Sequence, residues 1–233
     1  MANAVSDYMS ASQPCVIDGF SIPVLNAGMI ELPDDKFGCS IIMCGSTRSG
    51  KTTMLNYLFK KHFTSYLSVL MSNSLQSDAY NMLKKACITS DFYHPELLKE
   101  LYKINHETKN HYKFFCIIDD VPDKRNDLEI KRMLTIYRNS RISCIICAQG
   151  LTMMDKTARS NINYVFLGRM NSSQEVERNV KEYLTGYFPT TMKMSQKIQL
   201  YKKLTEDYWW IVCDNISGNI FRTKLQPQQM FNA

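Results

Sequence analysis

Glycine and proline are scarce, at 9 and 7 of 233 residues, which excludes a collagen-like or linker-rich chain. Uncharged apolar runs such as residues 114–118 (FFCII) fall far short of the roughly 20 residues that a membrane span needs. Residues 1–14 (MANAVSDYMSASQP) lack the basic start and apolar core of a secretory signal. These absences lead to the expectation of a soluble intracellular protein, not secreted and with no membrane partner. No internal repeat stands out, and no N-K-x-D base-recognition motif is present, which weighs against a GTPase switch. Cys144-Ile-Ile-Cys147 has metal-like spacing, yet no second CxxC or close His pair completes a zinc site. Two positions on a buried strand is the plainer reading. Without a signal segment, the eight cysteines read as reduced, buried apolar residues.

What is present is an ordinary globular balance, 45% hydrophobic and 21% charged. A chain of this length buries about 70–75% of its unfolded surface and needs no disulfide or metal staple. Lys and Arg total 28 against 22 Asp and Glu, a net charge of +6 that is compatible with a polyanionic partner without demonstrating one.

Along the chain, residues 15–25 read as one or two edge strands, with Pro23 marking an edge or turn. An apolar strand at 39–44 is followed by a Gly-bracketed loop at 45–50 and an amphipathic helix at 51–62. That helix carries Met54, Leu55, Leu58 and Phe59 on one face. Further strands are expected at 66–71, 114–119, 142–147 and 163–167. Helices are expected within 75–104 and at 127–137, 173–183 and 192–204. Two strand-like runs, 208–213 and 219–223, flank a Gly-bearing turn and predict a hairpin. Alternation of strands and helices implies an α/β fold, a mostly parallel sheet flanked by helices on both faces. In such folds phosphate ligands lie beyond the carboxyl ends of the strands.

Gly45-Ser46-Thr47-Arg48-Ser49-Gly50-Lys51-Thr52 fits G-x-x-x-x-G-K-[ST] between that strand and that helix. Small residues there let backbone N–H groups turn inward and cradle a phosphate at a helix amino terminus, a cradle that extends to Thr53. Lys51 would neutralise β- and γ-oxygens of ATP, and the Thr52 hydroxyl would ligate Mg²⁺. The alternative is a tight strand-to-helix turn with an exposed lysine. Asp119 and Asp120 close the run FFCIIDD. A carboxylate there can hold Mg²⁺ opposite the loop, and a second can orient and deprotonate an attacking water. The competing reading is a solvated strand end before Pro122. Gln149 ends the next strand and reads either as an amide on the γ-phosphate or water, or as a strand-end cap. Arg138, Arg141, Arg159 and Arg169 lie near strand ends and are candidates to stabilise transition-state charge. Six Lys or Arg between Arg178 and Lys203 face only Glu182 and read equally as a DNA contact or a solvated helical face.

With FFCIIDD, YRNSRISCIICAQG and ARSNINYVFLGR in this order after the phosphate loop, residues 39–223 resemble the viral genome-packaging ATPases of the FtsK/HerA superfamily. These are the poxvirus-type motors of large DNA viruses, virophages and Polinton-like elements. The resemblance implies an additional-strand P-loop NTPase (RecA-like) core, with a strand inserted between the phosphate-loop strand and the Asp119 strand, and a C-terminal β-hairpin. It implies that Arg138 is the finger acting on a neighbour's ATP, with Arg159 the lesser candidate. It further implies an ATP-hydrolysing double-stranded DNA translocase, assembled as a homo-oligomeric ring and served by capsid proteins, in the host-cell cytoplasm (virus factory) or the virion. The domain reading is an extension at 1–38, the ATPase domain at 39–223 and a tail at 224–233. A small-molecule (nucleoside or nucleotide) kinase, or a nucleotide-binding scaffold without turnover, are the alternatives.

Overall fold

A computed structural model of the chain describes residues 14–32, 37–119, 127–150, 159–227 and 229. Among them the strands are β1 (Pro14–Ile17), β2 (Phe20–Pro23), β3 (Ser40–Cys44), β4 (Leu67–Ser72), β5 (Ile88–Ser90), β6 (Phe114–Asp119), β7 (Ile142–Ala148), β8 (Tyr164–Leu167), β9 (Trp210–Asp214) and β10 (Asn219–Thr223). The helices are α1 (Lys51–His62), α2 (Asn81–Ala86), α3 (Pro95–Glu107), α4 (Leu128–Thr135), α5 (Ser173–Asn179) and α6 (Met194–Leu204). A π-helical turn, Val180–Leu184, extends α5.

One eight-stranded sheet runs in the order β10-β9-β8-β3-β7-β6-β4-β5. β8, β3, β7, β6, β4 and β5 are parallel, and the β9–β10 hairpin adds antiparallel to β8. β7 lies between β3 and β6, the inserted strand expected above. The central strands are continuous apolar runs because both sheet faces are covered, and β3, β6 and β7 are buried at every position.

Alternation along each strand divides the core in two. On one face Ile42, Cys116, Ile118, Cys144 and Ile146 meet Leu98 of α3, Met133 of α4 and Leu200 of α6. On the other Ile41, Met43, Phe115, Ile117, Ile145 and Cys147 meet Met54, Leu55, Leu58 and Phe59 of α1. Cys144 and Cys147 therefore point to opposite faces, which settles the CxxC spacing as two core positions. Register pairs Ser72 with Asp119 and Met43 with Cys147, while Ile118 pairs with Ile146. Ser72, Asp119 and Cys147 thus form one row at the carboxyl ends, on the α1 face.

Two elements differ from expectation. The stretch 75–104 is not one helical region: α2 ends at Ala86, Cys87 is extended, and β5 adds to the sheet beside β4. Ile88 and Thr89 are β-branched, and Pro95 at the start of α3 disfavours a helical residue before it. Residues 14–23 do not join the main sheet as an edge; they pair with each other across Asp18-Gly19, both at positive φ (49° and 78°). Two such residues are what a tight two-residue hairpin turn requires. The chain then touches the β10 edge through Leu25 N–H, which donates to Arg222 O at 2.9 Å.

Phe63, just beyond α1, stacks on Phe115 of β6 with ring centroids 3.7 Å apart and planes at 5°, locking the helix to the sheet. Phe115→Ala should cost about 3–5 kcal/mol of stability. Urea unfolding checks this; a loss under about 1 kcal/mol would mean that the pair does not anchor α1.

Candidate nucleotide-binding site

β3 delivers the chain to Gly45, and α1 begins six residues later at Lys51. Between them Arg48 (φ 62°) and Gly50 (φ 88°) are left-handed, which curls the loop back on itself. Gly45 has no room for a side chain, because a Cβ there would run into Ser49 Oγ. Gly50 is the N-cap of α1 and offers no side-chain cap, and no acidic residue occupies the first turn. The positive end of α1 is therefore left for an anion. Neighbouring strands hold the loop in place. Gly45 N–H donates to Ala148 O at 3.2 Å, Ser46 N–H to Arg169 O at 2.9 Å, and Asn171 N–H to Ser46 Oγ at 2.8 Å.

The Lys51 ammonium folds over the loop, donating to Gly45 O at 2.6 Å and Ser46 O at 3.1 Å. Asp119, 3% exposed, ends β6 and accepts a 2.6 Å hydrogen bond from the Tyr80 hydroxyl. Burial first, then the Asp119 charge and hydrogen bond, push the Tyr80 phenol far above its ordinary range, so it remains a donor. The side chains of Ser72 and Thr52, near that phenol, pull its pKa slightly down. The buried Cys147 thiol is pushed up by desolvation and then by Asp119, while Lys51 pulls it down. One thiol between them feels both charges, the cation of the loop and the carboxylate of the strand.

These groups open onto one cavity of about 910 Å³, lined by Thr47, Arg48, Gly50, Lys51, Thr52, Thr53, Tyr80, Asp119, Cys147 and Gln149 among others. Ser46 and Thr47 face a smaller cavity of about 380 Å³, together with Gln149, Gly150 and Glu175. Gly45 and Ser49 are the floor of the loop, and the Ser49 side chain is buried. Lys51 and Asp119, from segments far apart in sequence, therefore share a cleft at the carboxyl end of the sheet. A hydroxyl (Thr52) and a carboxylate (Asp119) both line it, the carboxylate held by the Tyr80 phenol. Hard oxygen donors of this kind suit Mg²⁺, which takes one or two protein ligands and fills its shell with water and phosphate oxygens.

The remaining candidates are placed elsewhere. Asp120 lies outside the described residues. Arg138 is in the 3₁₀ turn before β7, at the amino end of the sheet, where its carbonyl accepts from Gly38 N–H at 2.7 Å. Arg141 donates to Asn110 O at 3.2 Å, also at that end. Arg159 faces Glu182 at 3.5 Å. Neither Arg138 nor Arg159 lines the 910 Å³ cavity. In the basic stretch, Arg178, Lys181 and Lys203 are paired with Glu175, Glu177 and Asp18, and Lys197 is buried. That pattern favours the helical-face reading over a DNA contact. Tyr80, Ser72 and Glu175 carry no mark in the sequence reading, and Cys147 enters it only as half of the Cys144–Cys147 spacing. The period-2 register could have found Ser72 and Cys147; nothing local marks Tyr80 or Glu175.

The family model described as Poxvirus A32 protein matches residues 31–219, most of the chain. The chain belongs to the Poxvirus A32 protein family. This is the packaging-ATPase branch that the strand-end motifs anticipated. Among solved structures, the fold is similar to that of the genome packaging NTPase B204 from Sulfolobus turreted icosahedral virus 2 in complex with AMPPCP. That match has 13% identity and a TM-score of 0.59, and covers 83% of this chain and 100% of that one. B204, the DNA-packaging ATPase from Sulfolobus turreted icosahedral virus, matches at 15% identity and a TM-score of 0.60, over 82% of this chain and 99% of that one. The conjugation coupling protein TcpA of pCW3 matches at 12% identity and a TM-score of 0.59, over 85% of this chain and 64% of that one. No curated protein sequence matches. Among the described residues no helix is long and apolar enough to cross a membrane.

If the Tyr80 hydroxyl orders Asp119, a double-mutant cycle between Tyr80→Phe and Asp119→Ala should give a coupling energy of about 1.5–3 kcal/mol, the range for a hydrogen bond to a charged group. Denaturant unfolding of the four proteins reads it, and additive losses would show that the two side chains act independently.

Proposed function

We propose that this chain is an ATP-hydrolysing translocase of double-stranded DNA that packages a viral genome into a capsid, working as a homo-oligomeric ring with ATP between subunits. The observation that carries the reading is the common cleft of Lys51 and Asp119 at the amino terminus of α1, in a chain of the Poxvirus A32 protein family. The structural likeness to B204, whose solved forms include an AMPPCP complex, supports a nucleotide in that cleft.

In this reading, backbone N–H groups from Gly45 to Thr53 cradle the β-phosphate, and Lys51 exchanges its two loop carbonyls for β- and γ-oxygens. Mg²⁺, held by Thr52 and Asp119 directly or through water, would offset the triphosphate charge. Asp120 orients and deprotonates the attacking water, and the Gln149 amide, at the cavity wall, hydrogen-bonds that water or the γ-phosphate. Arg138 lies outside its own cavity, which suits a finger presented to a neighbour's ATP, and Arg159, already facing Glu182, is the lesser candidate. DNA is gripped through its phosphates, and capsid proteins are further partners.

ATP hydrolysis with and without double-stranded DNA, alongside the mass of the assembly, tests the whole reading. DNA-stimulated phosphate release by a ring supports it; transfer of label from ATP to a nucleoside would establish a kinase instead, and binding without turnover a scaffold. Lys51→Ala should lower turnover by about 100-fold or more and weaken nucleotide binding; undiminished hydrolysis would move the active site elsewhere. Arg138→Ala should keep ATP binding while losing about 1,000-fold in hydrolysis. Mixing it with Asp120→Asn subunits should then restore partial activity, and no restoration would remove the support for a finger acting between subunits.

A further inference from the structure

Three consecutive aromatics, Tyr208, Trp209 and Trp210, lead from α6 into β9, and their environments differ. Trp210 is 2% exposed and pinned beneath the phosphate loop: Cβ atoms added at Gly45 and Gly168 would lie 3.5 Å and 2.7 Å from its ring. Trp209 stacks under the Arg222 guanidinium, 4.2 Å from ring centroid to carbon. Tyr208 is left 57% exposed, yet its ring lies against the loop, with Cδ1 only 3.3 Å from a Cβ added at Gly50.

The backbone is bent to place it there. Trp209 N–H donates to Glu206 O at 3.0 Å, closing a turn whose central residues, Asp207 and Tyr208, have φ of 51° and 64°. A turn of that geometry favours glycine or asparagine, and a bulky aromatic in the left-handed region is strained. The chain keeps a large ring, at a backbone position that disfavours it, beside the N-cap glycine of the helix expected to hold phosphates. Burial does not account for the ring, since most of it stays in water.

We propose that Tyr208 is the stacking platform for the purine base of the bound nucleotide. This rests on the nucleotide-site reading of the phosphate loop. Tyr208 lines neither cavity but flanks Gly50, which lines the larger one. A base is tethered to its phosphates by one ribose, so the ring is within the reach of a nucleoside triphosphate anchored at the loop. Because Trp210 packs directly under the loop, platform and cradle are held as one rigid unit. Stacking reads a π-face and not a hydrogen-bonding edge, so the platform takes ATP and GTP alike.

The test compares binding of ATP, GTP and inorganic tripolyphosphate by calorimetry for the full chain, Tyr208→Ala, Tyr208→Phe and Lys51→Ala. Tyr208→Ala should weaken ATP and GTP by about 10- to 100-fold and leave tripolyphosphate within about 2-fold. Tyr208→Phe should keep near-normal affinity for all, and Lys51→Ala should weaken all. Equal weakening of tripolyphosphate by Tyr208→Ala would show a distorted loop, and unchanged ATP affinity would show a bystander ring; either overturns the platform while the phosphate loop stands. If the unsubstituted chain binds neither ATP nor tripolyphosphate, the phosphate-loop reading falls and the platform with it.

Discussion

Parallel pairing of β3, β7 and β6 carries Lys51 and Asp119, which come from segments far apart in the chain, to the mouth of one cleft. Because strand residues alternate faces, a slip of one residue in β6 would turn Asp119 into the opposite core, away from α1. The register is held by the burial of every side chain in these three strands. The site's chemistry is therefore set by packing several residues away from it, through Phe115, Ile117 and Ile145 on the α1 face.

Within the cleft, charges are balanced by internal groups. Lys51 leans on two carbonyls, and Asp119 takes a proton donor from Tyr80. A buried carboxylate without a donor and a lysine without acceptors are both costly. Each partner here is one that a ligand could replace: carbonyls by phosphate oxygens, and the phenol by a cation or its water. Such exchange keeps the protein folded around an otherwise charged cleft.

Much of this was legible in the sequence, and for identifiable reasons. The phosphate loop, the strands that end in Asp119 and Gln149, and the C-terminal hairpin are marked by local chemistry: glycines at a strand-to-helix turn, apolar runs that close on polar residues, and a Gly-bearing bend. The order β3-β7-β6 came from resemblance, since no local signal states which strand neighbours which. β5 escaped because three residues between helices carry too little periodicity, and the N-terminal hairpin was read as an edge because its length alone does not say what it pairs with. Tyr80 escaped for a different reason. It lies in a short 3₁₀ turn, and only the crossover from β4 brings that turn over the end of β6.

The eight thiols have a practical consequence. Six are enclosed, and desolvation drives Cys44, Cys144 and Cys213 to about 12 and Cys147 well up, so nucleophilic thiolate is suppressed throughout the interior. Only Cys15 and Cys87 reach the surface in part, and both are remote in sequence from the loop and the acid. Burial raises the Cys87 thiol to about 12 as well, so a maleimide dye or spin label would report chiefly on Cys15 in the N-terminal hairpin while leaving the Lys51–Asp119 cleft chemically untouched.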